Sequence, residues 1–309
     1  ISEAVILENL DAFRKVGPGE RIFQIDDGYQ TAVGDWLSVD PAKFPRGLGP
    51  VADAIHEAGF KAGLWLAPFA AQEGSRLASE HPDWLLCDDA GKPIPAGSNW
   101  GPFYGLDLRR AEVREYLRLV FGTVLDVWGF DLVKLDFLYA ACLRPFPEAT
   151  RGELMAMGMK FLREIMGERL ILGCGVPLAS AFGRVDYCRI GCDVGLSWDE
   201  AWYMAYLHRE RASTPRALAN TLGRRQLDGR AFLNDPDVFI LRDELTTLSP
   251  AQRRILDFLN TLLGSLVFTS DRVDSYGEAS RELFAGLDLA MGRKLIGLRE
   301  ERGGALLEL

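Results

Sequence analysis

The sequence predicts an α/β fold, a parallel (β/α)8 barrel of the TIM type, and two observations carry that expectation. Eight short apolar runs alternate with helical patterns, and most are apolar through their middles, as strands covered on both faces must be. Acidic residues gather just past the ends of these runs, where an α/β barrel carries its functional groups. The runs lie at 21–26 (RIFQID), 61–68 (KAGLWLAP), 104–108 (YGLDL), 131–136 (DLVKLD), 169–175 (RLILGCG), 186–191 (DYCRIG), 231–235 (AFLND) and 265–270 (SLVFTS). An open doubly wound sheet is the alternative, and it needs a glycine-rich loop after the first strand. The stretch there, DDGYQTAVGDW, holds no G-x-G-x-x-G.

The helices between the runs have readable ends. Thr150 and Glu153 form a capping box, and Gly167 closes that helix. Ser249, Pro250 and Gln252 supply an N-cap, a first-turn proline and a box partner, with Gly264 at the far end. Val113, Tyr116, Val120, Val124 and Val127 recur at helical spacing until Gly129. Gly59 plays the same part after the helix near 50–58.

Composition excludes several classes. With 309 residues, 48% hydrophobic and 26% charged, the chain can bury a full core as one large domain or two ordinary ones. No apolar run approaches about 20 residues, so no transmembrane helix is predicted. The start, ISEAVILENLDAFRK, has acids where a signal peptide needs a basic segment. A net charge of -9 without a basic run argues against nucleic acid. Cys87, Cys142, Cys174, Cys188 and Cys192 are odd in number and contain no C-x-x-C. Reduced thiols in a cytoplasmic protein are the simplest reading. His56, His81 and His208 lie far apart with no H-x-H or H-E-x-x-H, so no histidine-based metal site is predicted.

The candidate chemistry is carboxylate chemistry. Asp26 and Asp27 end the first run, Asp136 the fourth and Asp235 the seventh, while Asp193 follows the sixth. Any one could cap the next helix, but several on one rim point to a polar pocket. Lys134 and Asp136 share a strand face, opposite Val133, Leu135 and Phe137. Lys134 is therefore expected beside Asp136, keeping that carboxylate ionised. Arg189 and Asp193 have matching parity, either as an internal salt bridge or as an acid with a substrate-orienting guanidinium.

Two carboxylates on different strands, with no Ser–His or Cys–His pair, suit glycoside hydrolysis. One attacks the anomeric carbon, and the other protonates the leaving oxygen and later activates water. Trp36, Trp65, Trp198 and Tyr29 near the rim fit a sugar, although each singly is more often core than platform. Composition and spacing do not name the sugar.

A series of stretches, in order FQIDDGYQTAVGDW, KFPRGL, GLWLAPF, EHPDW, YGLDL, LVKLDF, LILGCGVPL, RIGCDVGLSW and FLNDPDVFILR, resembles the α-galactosidases (melibiases) of glycoside hydrolase family 36. The resemblance covers nearly all of residues 20–270. It implies that Asp136 is the nucleophile and Asp193 the acid/base, with Cys192 where the family often has proline. It implies that Asp26 and Asp27 hold galactose hydroxyls, that Trp65, Lys134, Cys174 and Arg189 are further sugar-pocket positions, and that Asn234 and Asp235 support them from behind. The implied activity is retaining, exo-acting hydrolysis of melibiose- or raffinose-type oligosaccharides, with a small carbohydrate as partner, no cofactor, no nucleic acid and no membrane. Oligomeric state is not readable from these residues. A retaining pair needs its carboxyl groups about 5–5.5 Å apart. Asp193 must also be protonated for the first step, while Arg189 nearby pulls the other way.

Alternatives stay open at this point. They are a raffinose-family galactosyltransferase, an α-N-acetylgalactosaminidase with room at the sugar 2-position near Cys174, a catalytically incomplete sugar-binding barrel, and a magnesium-dependent lyase barrel. The expected division is a barrel over 1–280, with 281–309 as the start of a C-terminal β-domain or a trailing segment. The N-terminal β-domain of the family is expected to be absent from this chain.

Overall fold

Apolar runs covered on both faces should pair in parallel, and four of them do so side by side. In the computed structural model, the strands Ile22–Ile25, Lys61–Leu66, Leu132–Leu135 and Leu170–Gly173 are neighbours in that order, all parallel. The structure describes residues 1–15, 21–199, 212–286, 297–301 and 304–308, so His208 lies outside the described residues. The chain divides into two units, Ile1–Asp186 and Tyr187–Leu309.

The first unit buries its strands as the runs predict: Ile25, Leu64, Leu66, Val133, Leu135 and Ile171 have no exposed surface. Helix Arg151–Met166 starts on the Thr150–Glu153 capping box and ends at Gly167, whose φ of 54° favours glycine. Helix Ala111–Gly122 continues into a wider π turn, Thr123–Val127, before Gly129. Val113, Val120 and Val124 are fully buried, but Val127 is 73% exposed. The wider turn adds residues per revolution and rotates Val127 off the buried face.

One run is not where the sequence put it. Residues 104–108 contribute to strand Phe103–Gly105, the centre of a small antiparallel sheet with Ala70–Gln72 and Pro95–Gly97. Phe103 and Leu106 are fully buried, and a Cβ on Gly105 would collide with the Ala140 carbonyl. An apolar run buried by loops looks like a buried parallel strand, because periodicity alone cannot separate the two.

In the second unit, Tyr187–Arg189 pairs in parallel with Leu233–Asp235, and Val238–Phe239 with Phe268–Thr269. Helix Pro250–Leu263 begins on the Ser249–Gln252 capping box. The segment ending KLIGLREERGGALLEL contains an antiparallel hairpin, Gly297–Glu301 with Gly304–Glu308. The fold is therefore α/β with parallel strands. All five cysteines are free thiols. Among the described residues, no helix is long and apolar enough to cross a membrane.

Helix Pro250–Leu263 carries a buried acid, Asp257, whose Oδ1 has no hydrogen-bond partner. Burial pushes its carboxyl up to about 6. A raised folded-state value makes the carboxylate a cost above that pH, relieved as pH falls through about 6 toward about 4. Asp257→Asn is expected to stabilise the chain at pH 8 by on the order of 2 kcal/mol. The gain should shrink toward pH 4, as urea denaturation across pH will show.

Candidate active site

Asp136 stands one residue beyond strand Leu132–Leu135, where its amide still donates to the Leu66 carbonyl at 2.8 Å. Its side chain is half-buried and held at both oxygens. Oδ1 accepts from the Phe137 amide at 2.7 Å, and Oδ2 from the Trp65 indole Nε1 at 3.2 Å. Phe137 adopts a left-handed φ of 51°, unusual for a bulky residue, and so turns its amide back onto the carboxylate. Gly175 leaves room for this turn. A Cβ there would sit 3.0 Å from the Phe137 nitrogen and 3.3 Å from Asp136 Oδ1. Local backbone geometry thus sets the orientation of this carboxylate.

Lys134 shares the strand face with Asp136, but its ammonium donates to Asp26 Oδ2 at 2.8 Å. It reaches there across the intervening strand Lys61–Leu66. The same Asp26 oxygen accepts from Gln24 Nε2 at 2.9 Å, while Oδ1 takes the Asp27 amide at 2.9 Å. Asp27 in turn accepts from Trp100 Nε1 at 2.6 Å and from Gln30 Nε2 at 2.7 Å. The Trp100 ring lies edge-on to Trp65 at 5.8 Å and to Phe137 at 4.8 Å. Cys174 is buried just past strand Leu170–Gly173, and its amide donates to the Leu135 carbonyl at 2.8 Å. Asp26, Asp27, Trp65, Lys134 and Asp136 therefore belong to one network of hydrogen bonds and rings at strand carboxyl ends. Tyr29 and Trp36 do not offer the rim platform their positions suggested. Both are fully buried, with Trp36 packed edge-on against Trp65 at 5.8 Å. Trp198 is half-buried.

In the second unit, Arg189 ends strand Tyr187–Arg189 and is only 8% exposed. Each of its three nitrogens meets a different carboxylate. Nε donates to Asp235 Oδ2, Nη1 to Asp193 Oδ1, and Nη2 pairs with Asp237 Oδ1, all at 2.8 Å. Asp235 is fully buried and Asp237 nearly so, whereas the Asp193 side chain is 74% exposed. Asn234 is fully buried and donates from Nδ2 to the Arg224 carbonyl at 3.3 Å. Cys192, directly before Asp193, is buried with its Sγ 3.5 Å from the Ser213 carbonyl.

Two residues escaped the sequence reading. Asp237 had a signal: it flanks Pro236 in NDPD at the same-face spacing from Asp235. Trp100 had none, because it reaches Asp27 from 73 residues away.

Parallel α/β strands end here in oriented carboxylates beside indole rings, an arrangement suited to binding a sugar. Comparison with known proteins narrows the class. Residues 6–147 match the family described as Melibiase. Alpha-galactosidase Mel36A of Lactobacillus acidophilus is 38% identical over 125 residues, which are 38% of this chain and 16% of that protein. Alpha-galactosidase 2 of Pediococcus pentosaceus is 34% identical over 146 residues, 44% of this chain and 20% of that protein. The structure of TtGalA, an α-galactosidase from Thermus thermophilus in complex with p-nitrophenyl α-D-galactopyranoside, matches with a TM-score of 0.85 at 35% identity. That match covers 98% of this chain and 60% of that one. Residues 6–147 thus resemble the melibiase family, and the chain is similar to family 36 α-galactosidases while spanning less than two thirds of the length of these relatives.

Proposed function

We propose that the chain is the catalytic part of a retaining exo-α-galactosidase, built on a closed (β/α)8 barrel, that removes terminal α-linked galactose from oligosaccharides. The observation that carries the reading is the Asp136 carboxylate, held at both oxygens beyond a strand end and linked through Trp65 and Trp100 to Asp27. In this reading Asp136 attacks the anomeric carbon, and the electron pair of the glycosidic bond leaves with the departing oxygen. Asp193 gives that oxygen its proton. Asp193 then takes a proton from water, which attacks the glycosyl ester and frees both galactose and the Asp136 carboxylate. Two inversions leave the configuration retained. Asp26 and Asp27 accept hydrogen bonds from neighbouring galactose hydroxyls, and Trp65, Lys134, Cys174 and Arg189 are further sugar-binding positions. The substrate class draws support from TtGalA, whose complexes hold p-nitrophenyl α-D-galactopyranoside and stachyose.

A panel of nitrophenyl glycosides with chelator present tests the reading. Turnover of the α-galactoside should exceed that of the α-glucoside, the β-galactoside and the α-N-acetylgalactosaminide by at least about 100-fold. Free galactose should form even with sucrose added as acceptor. Preference for the N-acetyl sugar, transfer to sucrose as the main outcome, or loss of turnover on chelation would each replace this reading with a different one.

A further inference from the structure

We infer that Asp237 is a positioning residue for Asp193: it shares the Arg189 guanidinium with that carboxylate and anchors the backbone beside it. The inference rests on the reading of Asp193 as the acid, and it resolves the conflict that reading contains. An acid that must hold a proton sits 2.8 Å from a guanidinium that favours the ionised form.

Arg189 carries one positive charge and meets three carboxylates, one at each nitrogen. What Asp193 feels therefore depends on the charge of the other two. Asp235 is fully buried and also accepts the Asp237 amide at 2.8 Å. Asp237 reaches the acid through two intermediaries. Its Oδ1 takes Arg189 Nη2, and its Oδ2 accepts the Val194 amide at 2.6 Å, the residue directly after Asp193. Asp237 holds a left-handed φ of 78°, a conformation that costs a non-glycine residue about 1 kcal/mol. Two contacts maintain it: the Asp235 carboxylate on its amide, and Asn260 Nδ2 on its carbonyl at 3.1 Å. Strain retained beside a proposed catalytic group, in a residue that makes four separate hydrogen bonds or ion pairs, suits a positioning task.

The electrostatics point the same way. Burial pushes the Asp237 carboxyl up to about 6, against the pull of Arg189 and with Asp235 and Asp193 adding to the rise. The neighbouring Cys188 thiol is pushed up to about 12 by burial and stays neutral. Above about pH 6 an ionised Asp237 draws on the Arg189 charge that Asp193 also faces. Once Asp237 is protonated, Arg189 acts more fully on Asp193. The two carboxylates meet through one guanidinium.

Asp237→Asn tests this, since it removes the charge and keeps an oxygen for the Val194 amide. The alkaline limb of kcat/KM should move to lower pH by on the order of half a unit to one unit. kcat/KM for methyl α-galactoside, which needs leaving-group protonation, should fall about 10-fold further than for the nitrophenyl substrate. KM should change little. A readout free of turnover comes from the unmodified chain: in a ¹³C-carboxyl NMR titration, the Asp193 resonance should show a second inflection at the Asp237 midpoint. An equal loss on both substrates with an unmoved pH profile, or a single Asp193 inflection blind to Asp237, would overturn the inference. Failure of the unmodified chain to cleave nitrophenyl α-galactoside would instead sink the functional reading, and the NMR titration would still decide the coupling.

Discussion

Asp136→Gly is expected to lower turnover of nitrophenyl α-galactoside by at least about 10⁴-fold, because the first displacement has no other nucleophile. Added azide should restore part of the rate and leave as β-galactosyl azide. Azide then occupies the space of the missing carboxylate and attacks from the face Asp136 used. Asp193→Gly should behave differently. It should slow poor leaving groups most, and rescue should give α-galactosyl azide, formed when azide attacks the glycosyl ester on Asp136. Chromatography against authentic azides reads the outcome. Interchanged products would reverse the two roles, and β-galactose as the first product of hydrolysis would replace retention with inversion.

Arg189→Leu should cost the fold about 3–5 kcal/mol in urea denaturation at pH 7.5. The magnitude comes from two buried carboxylates, Asp235 and Asp237, left without their cation. Asp193 contributes little, since its side chain is 74% exposed and water can replace the guanidinium. Arg189→Lys should recover only part of the loss, because one ammonium cannot reproduce a planar fork that meets three acids. Part of the lost stability of the leucine variant should return as pH falls toward about 4. Buried carboxyls without a cation take up protons at higher pH when folded than when unfolded, so acid relieves their cost. A loss below about 1 kcal/mol would show that the two acids relax into solvent, and that the cluster is less closed than its burial indicates.

The carboxylates proposed as catalytic stood out as candidates because they interrupt apolar runs. Asp136 and Asp193 stand out against buried neighbours, and the pairing of Arg189 with Asp193 followed from side-chain parity. The reach of a long side chain was not legible. Parity put Lys134 on the correct face, yet its hydrogen bond to Asp26 crosses a whole strand. Parity specifies a face and leaves the partner undetermined. The run at 104–108 shows the same limit at the level of the fold, since burial by loops and burial by helices leave similar apolar patterns.

By itself, then, the sequence determined what depends on near neighbours along the chain. That includes the parallel runs, the capping boxes at Thr150 and Ser249, the strand-end acids and the register of Arg189 with Asp193. Only the tertiary structure decided the partners. Trp100 came to Asp27 across 73 residues, Lys134 was turned to Asp26, and Asp237 was placed on Arg189 and Val194. The physical reason is range. Propensity, periodicity and capping act over a few residues, whereas a hydrogen bond or ion pair depends on which strands and loops have been brought within about 3 Å.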